Sequence, residues 1–133
     1  MDIIQVREFL MSLPLCEETF PFGDDFAVFK IEGRMFACLS FERPAVIAVK
    51  CDPDRAVLLR DRHGCITAAW HFNKRHWNDI EFVSLDEDIV KCEITHSYLT
   101  VIKKNVTPKV RREELLSIAE DAGLADSTVE DLE

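Results

Sequence analysis

The chain has 133 residues, 47% of them hydrophobic with nine Phe and two Trp, which is enough material for one compact core. No apolar run is long enough to span a bilayer, and Met1-Asp2-Ile3-Ile4-Gln5 lacks the basic-then-apolar order of a signal peptide, so a cytoplasmic protein without membrane contact is expected. The net charge of −9 is uneven: Glu113 to Glu133 holds eight acids and no Lys or Arg, leaving 17 acids against 16 bases before it, so the body is near neutral and the tail acidic.

Asp2 is placed to cap a helix whose apolar positions Ile3, Val6, Phe9, Leu10 and Leu13 recur at steps of three and four, with Pro14 to stop it. A loop is expected from Cys16 to Asp25. Phe26 to Ile31 and Met35 to Phe41 are rich in β-branched and aromatic residues and flank Glu32-Gly33, which predicts a β-hairpin. Ala45 to Cys51 predicts a third strand, and Asp52-Pro53 starts a short helix backed by Val57, Leu58 and Leu59. Ile66 to Phe72 and Asp79 to Val83 predict two more strands, joined by a polar hairpin loop over Asn73 to Asn78.

Asp86-Glu87-Asp88 opens a helix with apolar positions Ile89, Cys92, Ile94, Tyr98, Leu99 and Ile102, and Lys103-Lys104 ends it, both placements favouring the helix dipole. Val110 to Ala122 is helix-like and Gly123 is placed to terminate it. The remaining apolar positions Leu124, Val129 and Leu132 suggest a second short helix beyond that glycine. Strands adjacent in sequence and helices set apart from them predict an α+β fold, an antiparallel sheet with helices packed on one face, plus a C-terminal helical extension. The expected division is an α+β domain over 1–106 and an acidic helical extension over 107–133.

The densest chemistry lies in His71-Phe72-Asn73-Lys74-Arg75-His76-Trp77, a mixture of hydrogen-bond donors, two cations and a stacking surface. Lys74 and Arg75 suit phosphate, Asn73 suits a base edge or sugar, and Trp77 offers a stacking face. The plainer reading is a solvated hairpin whose Trp returns to the core. A metal site at His71 and His76 is excluded by spacing, because five residues fits neither one helix face nor one strand face. His71, His76 and Trp77 would make a small-molecule site only if they converge on a pocket.

Elsewhere the signals are thinner. The five cysteines, Cys16, Cys38, Cys51, Cys65 and Cys92, are an odd number without a CxxC pair, so they are read as reduced thiols. Four glycines form no phosphate loop, and no cofactor is implied. Lys103, Lys104, Lys109, Arg111 and Arg112 place five bases within ten residues, either a positive patch or the cationic end of a helix. The spacing around Ala119, Gly123 and Val129 is similar to a helix-turn-helix, but Asp126, Glu130, Asp131 and Glu133 would repel a duplex, so a helical hairpin packed on the body or a partner is expected instead.

Five elements in chain order carry a resemblance: Pro21-Phe22-Gly23, Gly33-Arg34-Met35-Phe36-Ala37, Lys50-Cys51-Asp52-Pro53, His71-x-Asn73-Lys74-Arg75-His76-Trp77 and Ser97-Tyr98-Leu99-x-Val101. Together they resemble the MmcQ/YjbR-like family of small bacterial proteins over about residues 1 to 105. The resemblance implies a frataxin-like, CyaY-like fold with no established enzyme activity, and a DNA-binding role through a double wing of hairpins. Carried over by position, Arg34 on the first hairpin and Asn73, Lys74, Arg75 and His76 on the second would touch the nucleic acid. The expected function is thus a non-enzymatic DNA-binding module. The alternative is a module for a protein partner or a second copy of itself, using the sheet face or the C-terminal helices.

Overall fold

The computed structural model describes residues 1–42 and 46–130. Ala45 at the start of the expected third strand, and Asp131, Leu132 and Glu133 of the tail, lie outside the described residues.

The first helix, α1 (Ile3–Ser12), forms as its caps dictate: Asp2 accepts the amide of Gln5 while Gln5 returns a bond to the Asp2 amide. The predicted loop from Cys16 contains a strand the sequence did not suggest, β1 (Glu17–Thr19), three polar residues paired along the edge of β2 (Phe26–Ile31). Its pairing comes from a neighbour and not from local β preference. The hairpin of β2 with β3 (Arg34–Ser40) is as expected, turning at Glu32 and Gly33, both with positive φ. Phe36 is an extra residue in that ladder, so Phe36 and Ala37 both reach the same core.

After β4 (Val46–Lys50), Asp52 caps α2 (Pro53–Arg62), and β5 (Ile66–Ala68) and β6 (Trp77–Glu81) follow. The expected strand from Ile66 to Phe72 ends four residues early. Trp77, expected in a loop, begins a strand. Among the described residues the sheet is six-stranded and antiparallel throughout, in the order β1-β2-β3-β4-β6-β5. β6 fills the slot between β4 and β5 because the α2 crossover leaves those two strands a full strand width apart.

The long helix α3 (Glu87–Asn105) and α4 (Lys109–Asp121) complete the α+β fold. All four helices pack into one cluster on one face of the sheet, with Val6 and Leu10 of α1, Leu59 of α2, Tyr98 and Ile102 of α3 and Leu115 of α4 meeting Phe29, Ile47 and Ile80. Ser97 fastens α3 to the sheet, donating to the Phe36 carbonyl and accepting the Lys50 amide. No described helix is long and apolar enough to cross a membrane.

Gly123 ends α4 with φ +81, as predicted, but the second tail helix is absent over 124–129. That stretch is an irregular strap. Val129 is buried in the main cluster, and Asp126 and Ser127 are tied to side chains of α2 and α3. Two apolar residues and an acid anchored by long-range contacts outcompete a short helix of low intrinsic stability.

Candidate functional site

Strand alternation sends Phe26, Val28, Cys38, Ala48, Trp77 and Asp79 to the face that the helices leave uncovered. In register across the middle of this face stand Cys38, Ala48 and Asp79, two small residues and a carboxylate, and they leave a hollow. Part of the face is covered by the connection between β5 and β6. Ala69 continues the ladder by donating to the Trp77 carbonyl, and Trp70 then donates its amide to Asp79 Oδ2 at 3.0 Å. From there the chain folds across the face, and Phe72 stacks on Trp77 with ring centroids 4.9 Å apart.

The connection is closed by its own polar groups. Lys74 Nζ donates to the Ala69 carbonyl at 2.7 Å and lies over the Trp70 ring. Asn73 Oδ1 accepts the Arg75 amide, and the Asn73 carbonyl accepts the His76 amide. The 69–76 segment is thus a compact loop laid on the sheet.

What remains open is a groove whose inner part has a volume of about 40 Å³, lined by Phe26, Cys38, Ser40, Glu42, Val46, Ala48, His71, Phe72 and Asp79. It continues outward past Phe22. His71 reaches this groove, its ring edge-on to Phe26 at 5.8 Å. His76 and Trp77 do not line it: His76 sits in the closing turn and Trp77 lies under Phe72, only 8% exposed. The three residues weighed for a pocket therefore do not converge, because Trp77 belongs to a strand and a strand places its neighbour on the opposite side.

The residues weighed for DNA fall at one end of the sheet. β3 and β6 run in the same direction, so Arg34 before the one and Asn73, Arg75 and His76 before the other share that end. Arg34, Asn73 and Arg75 are exposed. The hairpin turn beside Arg34 also carries Glu32, which accepts from Arg111 at 2.9 and 3.0 Å, and that pairing holds the Glu32 carboxyl below its ordinary pKa. Of the five bases at 103–112, Arg111 is bound to Glu32 and Glu114, and Lys109 faces Glu113. Two of the five bases are thus engaged in local ion pairs.

A second concentration of ionisable groups lies under the tail strap. Arg55 makes a bidentate, buried pair with Glu93 and also reaches Asp126 and the Ser127 carbonyl. His96 Nε2 receives the Asp52 amide at 3.1 Å, so its proton is on Nδ1, which donates to Asp126 at 2.9 Å. This Asp-His pair has the first two members of a proton relay, but Nε2 faces a backbone N–H and the Thr100 hydroxyl at 3.4 Å. No nucleophile is activated there. Its work is to hold the strap.

Sequence reasoning missed Asp79, Phe26, Phe72 and Trp70 on the open face, and Arg55, Glu93, His96 and Asp126 beneath the strap. One signal for the first group was present: Asp79 is a carboxylate within Trp77-Asn78-Asp79-Ile80-Glu81, a strand too short to waste a buried position on a solvated acid.

The YjbR family model matches residues 11–100. Among curated relatives, the uncharacterised YbdF of Escherichia coli O157:H7 is 38% identical over 73 residues, 53% of this chain and 59% of that protein, so the match spans little more than half of that relative's length. The uncharacterised YjbR of Escherichia coli K12 is 27% identical over 121 residues, 89% of this chain and all of that protein. A Deinococcus radiodurans protein with domain DUF419, solved by crystallography, superposes with a TM-score of 0.78 at 32% identity, covering 96% of this chain and 92% of that one. A Pseudomonas syringae protein shares the fold, with a TM-score of 0.64 at 23% identity over 73% of this chain and 96% of that one.

Proposed function

The chain belongs to the YjbR family, and from that premise we propose that it is a non-enzymatic recognition module that binds a partner protein through the open face of its sheet. One observation carries this reading: Trp70 is 72% exposed and Phe22 64% exposed, flanking the groove on the face that no helix covers. Large aromatic rings left in water cost about 25 cal/mol for each Å² that a partner would bury, and such rings are the usual anchors of protein interfaces. Burial pushes the Cys38 thiol up to about 11, with the Asp79 charge adding to it, so the one sulfur in the groove is a poor nucleophile near neutral pH.

A photo-cross-linking residue at position 70 or 22, introduced into the full chain in its host cell, tests the reading. A discrete adduct from both positions, and none from the exposed position 4 on α1, is the expected result. Equal labelling from position 4, or silence from 22 and 70, counts against it. An adduct of twice the chain's mass makes the partner a second copy.

The second reading is DNA contacted by Arg34, Asn73, Lys74, Arg75 and His76. It is favoured by the exposure of Arg34 and Arg75 at one end of the sheet. Working against it are the net charge of −9, the carboxylates of Asp79 and Glu42 on the same face, and the internal bond of Lys74. Titration of mixed-sequence DNA decides: this reading requires measurable binding at about 50 mM salt that weakens as salt rises, with a slope reduced by roughly two in the Arg34→Ala, Arg75→Ala double variant.

A further inference from the structure

We infer that Asp79 is the anchor of the open face, and that the groove takes a lysine or arginine side chain of the partner, its cationic head on Asp79 and its methylene stem between Phe26 and Phe72; this rests on the face being the binding surface.

Asp79 is 8% exposed and sits between Ala48 and Thr67 across its two ladders. Neither of these ladder partners carries a charge, and His71 is the one titratable base among the described residues that line the hollow. Oδ2 accepts the Trp70 amide, and among the described residues no cation pairs with the carboxylate. The nearest cation in sequence to Trp70, Lys74, turns away to the Ala69 carbonyl. With a single neutral donor on Oδ2, the carboxylate lines the hollow with capacity for a further donor, and a charge this enclosed is ordinarily paired.

The surroundings select the kind of cation. Phe26 and Phe72 wall the hollow, and aromatic faces attract ammonium and guanidinium groups while their bodies accept an aliphatic stem. Glu42 also lines the hollow, adds a second negative charge and disfavours anionic ligands. The inner hollow of about 40 Å³ is far below the roughly 300 to 1,000 Å³ of small-molecule sites, so it has room for the end of one side chain, with the stem in the outer part of about 260 Å³ beside Phe26 and Phe72. Because the exposed Phe22 and Trp70 lie outside the inner hollow, the body of the ligand is held on the surface while one side chain enters. That geometry fits a protein segment better than a free amine.

The test uses the full ¹⁵N-labelled chain and two capped peptides, Gly-Leu-Lys-Leu-Gly and the same sequence with norleucine for lysine, with n-butylamine as a third probe. The lysine peptide is expected to shift the amides of Phe72, Asp79 and Ala48, and to bind at least about tenfold more tightly than the norleucine peptide or n-butylamine. Asp79→Asn keeps an oxygen for the Trp70 amide and should erase that preference with the fold intact. Ala48→Leu, which fills the floor and leaves the charge, should erase it independently if Asp79→Asn fails to fold. Equal binding of the two peptides, wild-type binding by both variants, no shift at about 10 mM lysine peptide, or n-butylamine binding as tightly as the peptide overturns the inference. Adducts from positions 22 and 70 that persist at full yield in Asp79→Asn would overturn the anchor while leaving the face standing.

Discussion

The two faces of this sheet bury carboxylates in opposite ways. On the helical side Glu93, 1% exposed, receives Arg55 through three hydrogen bonds and a weak one from the Cys51 thiol. On the open side Asp79 receives one backbone amide. The first arrangement is complete within the chain, so it contributes to folding. The second leaves a carboxylate with one donor on an open groove, an arrangement better suited to binding than to stability.

The sharpest way to break this contrast is to neutralise each acid in turn. Glu93→Gln takes from the Arg55 guanidinium its closest counter-charge, leaving it Asp126 and the Ser127 carbonyl, and is expected to lower the unfolding free energy by about 3 kcal/mol in urea titrations. If it costs no more than Asp79→Asn, the distinction between the two faces is wrong. The paired substitution Arg55→Leu with Glu93→Leu should recover much of that loss, since it removes both charges together.

Next in size is the strap that closes the helical side. Burial alone would raise the Asp126 carboxyl, but the hydrogen bond from His96 and the positive charges of Arg55 and Lys103 outweigh it and hold it below its ordinary value. With the folded pKa below the unfolded one, the contribution of Asp126 is fully present above about pH 4 and is lost as pH falls through the folded value. Asp126→Asn should therefore be destabilised by about 1 kcal/mol near neutrality, and its stability should converge with that of the wild type on acidification below about pH 4. Parallel curves at all pH values would show that the carboxylate charge is not what fastens the strap.

The smallest stability effects belong to the open face. Trp70→Ala should change the unfolding free energy by no more than about 0.5 kcal/mol, because the ring lies largely in water. Asp79→Asn is expected to be neutral or slightly stabilising, in line with relief of an unpaired charge. Both should still abolish partner adducts formed from position 22. A large melting shift in either variant would move that residue from recognition to folding.

Much of this was legible locally. Asp2 with Gln5, Asp52 with Pro53, and Asp86 with its following acids announce helix starts, because capping is decided within four residues. The β-branched and aromatic content of Phe26 to Ile31 and Met35 to Phe41 about Glu32-Gly33 announces the hairpin for the same reason. The five motifs announced the family. The candidate site was less visible: His71 lines the groove, but His76 and Trp77, weighed with it for a pocket, do not, and Phe26, Phe72 and Asp79 line it instead.

From the sequence alone came the class of fold, the helix starts, the first hairpin and family membership, all set by caps, periods and motifs that act over short stretches. Only the tertiary structure decided that β6 enters between β4 and β5, that the 69–76 connection lies down on the sheet, and that residues 124–129 form a strap instead of a second short helix. Each of those outcomes depends on contacts between residues far apart in the chain, such as Lys50 with Trp77 and Asp126 with His96. The free energy of such contacts exceeds the weak local preferences that a sequence pattern reports.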